Sequence, residues 1–198
     1  MNTIIKNYFT HSFQIDYDRP MIVFQTANSS HIHPLAKLVN SAYRGNYSLQ
    51  GWTTEAHILG GQRTDSESLA SLIQTPLNQI EIAIDQNTNK IVGCVHLIQE
   101  GVNTLYFGML TVEPTLQTQG IGKFMMVHIE SVAKSLRRGR IRITVIPNRV
   151  ELVAFYQRRG FRQTGNFEDF PAQDPRFGIP KISDLRLQEY EKIIGEIF

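Results

Sequence analysis

Residues Ile80–Val112 constrain the fold more than any other part of the chain. Ile80, Ile82 and Ile84 alternate with polar residues or alanine, and Gln86–Asn89 has turn chemistry. Lys90–Gln99 is a second apolar run, Gly101–Asn103 a second turn, and Thr104–Val112 a third run. Connections this short can only join antiparallel neighbours, because parallel strands need a crossover of roughly a dozen residues or more. The segment is therefore predicted to form a three-stranded meander.

Helical periodicity surrounds it. Met21–Thr26 suits a buried strand, and Asn28, Ser29 and Ser30 offer N-caps. Ile32, Leu35, Ala36, Val39, Ala42 and Tyr43 then repeat at helical spacing up to Gly45. From Gly51 to Pro76 the pattern weakens to a loop that leaves a short helix open, and then a helix through Leu69, Leu72 and Ile73. After the meander come a helix at Gly120–Leu136, a strand at Ile141–Ile146 and a helix at Arg149–Arg159. A strand at Phe161–Thr164, a Pro-rich stretch at Phe170–Pro180 and a final strand at Asp184–Ile193 complete the order. That order gives a mixed α/β class. Met1–Arg19 lacks periodicity and runs into Pro20, so residues 1–20 read as an extension and 21–198 as the domain.

Composition narrows the function classes. Hydrophobic residues make up 41% and charged residues 19%, which excludes a disordered chain. A net charge of +2 argues against a surface built to hold nucleic acid. Five basic residues in Lys134–Arg142 sit at a helix C-terminus, where the helix dipole favours them. The single cysteine, Cys94, excludes an internal disulfide and any Cys-based zinc site, and fits a cytoplasmic location. His31 and His33, two apart, fall on different helical faces, so no metal is expected. No run approaches a membrane span, the most apolar being Ile91–Ile98.

The turn after the third meander strand carries the most chemistry. In Val112–Met126 a strand ends at Pro114, and Gly120 and Gly122 enter a helix. Bare backbone there admits a close ligand, and a helix start attracts an anion. A P-loop would need glycine and Ser/Thr where Gln117 and Phe124 stand, and a dinucleotide fingerprint would need glycine at Met125. The pattern present is Gln-x-x-Gly-x-Gly, formed by Gln117, Gly120 and Gly122.

This pattern resembles the acetyl-CoA loop of the GNAT family of N-acetyltransferases. Phe155–Phe161 (FYQRRGF) resembles the family's tyrosine-bearing helix, and the order of elements is similar from about residue 21 to 193. LVNSAYRG, GWTTEAHILGGQRTD and DPRFGIPKISDLRL are similar to a bacterial subgroup for which the resemblance gives the donor but not the acceptor. The resemblance implies a mostly antiparallel twisted sheet flanked by about four helices. It also implies that the sheet splays between its fourth and fifth strands, Thr104–Val112 and Ile141–Ile146. Acetyl-CoA would lie in that cleft, its pantetheine arm on Leu110, Thr111 and Val112. Its pyrophosphate would meet N–H groups from Gln117 through Thr118, Gln119, Gly120, Ile121, Gly122 and Lys123 to Phe124.

Acetyl transfer to an amine needs a deprotonated amine, a donor for the oxyanion and an acid for the leaving thiolate. By the resemblance, Val112 N–H is the oxyanion donor and Tyr156 the acid. The base is open among His96, Glu55, Tyr106, Glu113 and water. The family's asparagine seven residues before the tyrosine is replaced by Arg149, with Asn148 one residue earlier. Trp52 and Glu55 follow the first helix, where the family builds its acceptor wall, and FPAQDPRFGIP is placed to close that side. The expected activity is an acetyl-CoA-dependent N-acetyltransferase acting by direct transfer on a small-molecule or peptide amine, with no nucleic-acid or membrane partner. A homodimer, another donor such as succinyl-CoA, and a non-catalytic acyl-CoA-binding module stay open.

Overall fold

The computed structural model describes residues 20–174 and 177–195. Of the extension expected over residues 1–20, residues 1–19 lie outside them. The chain runs through β1 (Ile22–Thr26), α1 (Ile32–Tyr43), β2 (Leu59–Gly60), α2 (Ser66–Gln74), β3 (Asn78–Asp85), β4 (Lys90–Glu100) and β5 (Thr104–Val112). A short 3-10 turn, Pro114–Gln119, then leads into α3 (Ile121–Ser135) and β6 (Arg140–Val145). The remaining elements are α4 (Val150–Gln157), β7 (Arg162–Asp169), β8 (Ile179–Pro180) and β9 (Arg186–Ile193).

Seven strands form one sheet in the order β1-β3-β4-β5-β6-β9-β7, antiparallel throughout except for β5 with β6. This is the mixed, mostly antiparallel sheet expected, with the meander at its centre. Helices cover both faces. On one, Asp65 caps α2 by accepting from Ser68 N–H at 2.7 Å, and Leu35, Val39 and Leu69 pack on Ile80, Ile82 and Cys94. On the other, Ile121, Met125, Ile129 and Ala133, each four apart along α3, pack against Val95, Leu97, Leu105 and Phe107. Each large apolar side chain buried this way contributes about 1.5–3 kcal/mol. Among the described residues no helix is long and apolar enough to cross a membrane.

The feature that matters for function is where the sheet opens. β5 pairs with β6 only at Thr104–Tyr106. Beyond Tyr106 the two strands part. A bulge lies at this point, since β4 advances from Cys94 to His96 while β5 spans Thr111 to Gly108, with Met109 at a left-handed φ of 53°. A bulge bends its strand and raises the local twist, which turns the end of β5 away from β6.

Three details depart from the expected reading. α4 is shorter than Arg149–Arg159, and β7 continues past Thr164 to Asp169. A separate two-stranded ladder pairs Leu59 and Gly60 with Pro180 and Ile179, tying the loop after α1 to the Pro-rich segment. Strands of two residues are too short to show a period, so the sequence carries no sign of them.

Candidate active site

Two cavities open from the gap between β5 and β6, of about 360 Å³ and about 410 Å³. Tyr43, Leu110, Arg149, Leu152 and Tyr156 line both, so the two form a through-cleft with these side chains at its waist. One mouth is bounded by the glycine turn and α4. The other is bounded by the ends of β6 and β7 and by Phe170 and Phe177.

At the first mouth, Gly120 has a left-handed φ of 86°, which lets the 3-10 turn reverse into α3. Lys123 and Phe124 N–H groups turn back onto the Gly120 carbonyl at 2.9 and 3.1 Å. Of the helix's unpaired leading N–H groups, those of Ile121 and Gly122 are left for an outside acceptor. Gln117 packs its amide against Gly51, where a Cβ would collide with it, and Nε2 donates to the Val112 carbonyl at 3.3 Å. Its Oε1 is buried with no hydrogen-bond partner among the described residues. Lys123, Arg158 and Arg159 bring positive charge to the same mouth. Arg159 lies 3.5 Å from the centroid of the Phe155 ring and donates to the Phe155 carbonyl at 2.8 Å.

The backbone of β5 is sorted by strand alternation. Glu113 N–H donates to the Val92 carbonyl at 2.8 Å, on the β4 side. The main-chain groups of Val112 and Leu110 therefore face the side that β6 has left, and those of Thr111 face β4. Tyr43 Oη donates to the Leu110 carbonyl at 3.0 Å, and by the same alternation Val112 N–H faces the cleft.

Tyr156 is buried at the waist, its ring held edge-on by Phe107, Phe155 and Phe161 at 5.3–5.8 Å between centroids. Its hydroxyl has no hydrogen-bond partner among the described residues. Burial first, then the nearby Tyr43 hydroxyl, raises its pKa well above the ordinary value, and Arg149 opposes them only in part. The group stays protonated over the whole working range. Beneath it, Glu55 accepts from Arg149 Nη1 at 2.8 Å and from Arg44 Nη1, with all three residues buried. Burial pushes the Glu55 carboxyl up, but Arg149, Arg44 and Arg63 outweigh it and hold it below the ordinary range.

Residues 78–163 match the family model described as the acetyltransferase (GNAT) domain. Over those residues the chain is similar to the GNAT acetyltransferase domain, and its fold is that of solved GNAT acetyltransferases. Solved structures similar to this one have the same fold at low identity. An acetyltransferase of the GNAT family from Staphylococcus aureus Mu50 superposes with a TM-score of 0.62 at 20% identity, over 88% of this chain and 99% of that one. The IAA acetyltransferase from Bacillus cereus gives 0.62 at 16% identity, over 87% and 99%. The yncA protein of Salmonella typhimurium, solved with its cofactor acetyl-CoA, gives 0.62 at 12%, over 88% and 95%. No curated protein matches by sequence.

Set in this GNAT fold, the residues named from the sequence separate clearly. Gln117, Thr118, Gly120, Gly122, Lys123, Leu110, Val112 and Tyr156 border the cleft. Thr111 turns inward, its Oγ1 donating to the Met109 carbonyl at 2.9 Å, and Ile121 is buried under the sheet. Gln119, Phe124 and Asn148 are exposed and line neither cavity. His96 also lines neither; it is buried against Asn78 Oδ1 at 2.7 Å, and burial lowers its pKa to about 4. Glu113 accepts from Tyr47 Oη at 2.6 Å, away from the cleft, and Tyr106 Oη shares a bond with Thr144 Oγ1 at 3.1 Å on the second mouth. Trp52 tilts against Phe155 at 5.8 Å on the first mouth, not the second. Glu55 is locked between its arginines rather than offered to a ligand. Arg149, which replaces the family's asparagine, and Tyr43, one more apolar position on α1, carry no sign in the sequence of their place at the waist.

Proposed function

We propose that the chain transfers an acetyl group from acetyl-CoA to a primary amine of a small molecule or peptide, directly, within a ternary complex. The observation that carries this is the through-cleft. An anion-attracting glycine turn lies at one mouth, a separate cavity at the other, and a protonated buried tyrosine between them. Acetyl-CoA supplies the acyl group as a thioester. The N–H groups at the start of α3, with Lys123, Arg158 and Arg159, would hold its phosphates, and the end of β5 its pantetheine arm. Gln117, with an unpartnered buried Oε1, adds an acceptor near that turn.

Val112 N–H faces the position where the carbonyl oxygen gains charge. Tyr156 holds a proton for the departing sulfur. Burial raises the basicity of a thiolate in this cleft, as it raises that of Tyr156. Cys94 illustrates the effect, its thiol pushed up to about 12 by burial. That thiol lies off the cleft and stays protonated, which supports direct transfer over an acyl-enzyme. No imidazole or unpaired carboxylate borders the waist among the described residues, so the amine enters neutral or gives its proton to water at the open second mouth.

The test is thermal. Acetyl-CoA at about 100 times its Kd should stabilise the protein by about 2.7 kcal/mol, raising Tm by roughly 5–10 °C. Gly120→Val should remove that shift, because valine is strained at a left-handed φ and places a branched side chain where the ligand backbone must come. A wild type with no shift would remove the acetyl-CoA assignment.

A further inference from the structure

Resting on this transferase reading, we infer that the acceptor is an amino acid with an apolar side chain, its carboxylate held by Arg63. The cluster at the waist and second mouth contains three guanidiniums, Arg44, Arg63 and Arg149, around the single carboxylate of Glu55. Both Glu55 oxygens are already taken, by Arg44 and Arg149. Arg63 is left over. Its guanidinium makes no ion pair or hydrogen bond with a described residue, and it lines the second cavity. It is nonetheless a placed side chain. Asn40 of α1 pins its backbone, accepting from Arg63 N–H at 2.6 Å and from Thr64 N–H at 3.2 Å. The guanidinium carbon then rests 5.4 Å from the centroid of the Tyr43 ring.

No described acid at this mouth bonds Arg63. Glu168 bonds Arg142 at 3.0 Å, a guanidinium it shares with Glu100 and Glu189, and Asp169 lies 3.7 Å from Arg186. The cavity therefore presents an unpaired guanidinium that a planar carboxylate can meet through two parallel hydrogen bonds. Part of the wall is apolar, where Leu59, Ile146, Phe170 and Leu187 pack together. A bound amino acid would set its carboxylate on Arg63, its side chain on that wall and its amine toward Tyr156. Its nitrogen then forms the new N–C bond, the C–S bond breaks, and CoA leaves as the thiol with one proton. The amine gives up one proton in exchange.

The experiment compares L-leucine, L-methionine and L-phenylalanine with isoamylamine, 3-methylthiopropylamine and phenethylamine, following CoA release and binding by saturation-transfer NMR. At least one amino acid should exceed its decarboxylated partner by about 30-fold or more in kcat/KM. Arg63→Ala should erase that preference through KM with kcat little changed, and Arg63→Lys should keep part of it. Both variants should retain the full acetyl-CoA melting shift, which shows an intact fold and donor site. Equal use of the decarboxylated amines, a preference untouched in both variants, or no binding and no acetylation of the three amino acids would each overturn the inference while the acetyl-CoA reading stands. A wild type that does not bind acetyl-CoA would remove both.

Discussion

Tyr156→Phe should lower turnover by about 10²–10³-fold while leaving acetyl-CoA affinity within a few-fold of wild type. The substitution removes one hydroxyl from a ring whose place is set by Phe107, Phe155 and Phe161, so the packing survives. Because that hydroxyl bonds to no described residue, its loss strands no partner in the fold. What disappears is the proton held for the thiolate, and the departing sulfur must then leave charged in a buried cleft. Steady-state rates beside a calorimetric titration of acetyl-CoA separate the two effects. Turnover equal to wild type would show that the ring merely packs under the thioester, and a parallel loss of affinity would show that the hydroxyl acts in binding acetyl-CoA and not as the acid.

Glu55→Gln should cost roughly 3–5 kcal/mol, about 6–20 °C in Tm, because it leaves Arg44 and Arg149 buried and charged without a counter-ion. The change keeps the shape of the side chain, so the loss measures charge rather than volume. Its pH dependence has a definite sign. The folded pKa of Glu55 lies below the unfolded value of about 4.3, so its contribution is fully present above that value and is lost as pH falls through the folded pKa. The gap between variant and wild type should be constant near neutrality and close in acid. Denaturant melts at pH 7 and pH 3 measure it, and a gap that stays the same at both would contradict the ion-pair account.

The parts of this site legible in the sequence are the local ones. Gln117, Gly120 and Gly122 fall within six residues, and the backbone conformation they serve is a property of that segment alone. The meander was legible for the same reason, since alternation and two short turns leave few alternatives. What could not be read depends on contacts between distant segments. Arg149 reaches Glu55 across 94 residues, and no local pattern announces an ion pair of that separation. Glu55 shows as a polar residue after a helix, which suits a substrate contact as well as a buried counter-ion. His96, two residues from Cys94 on a strand, has its fate decided by Asn78 on the neighbouring strand. Periodicity gives the face and not the partner.

The account rests on acyl transfer from the thioester to an amine across one cleft, and CoA release from acetyl-CoA measures that directly, with intact-protein mass recorded during a single turnover. It predicts release that requires an amine, one N-acetylated product per CoA, and a protein whose mass never changes. Release without an amine, or an acetylated protein that forms and decays at the rate of turnover, would contradict it.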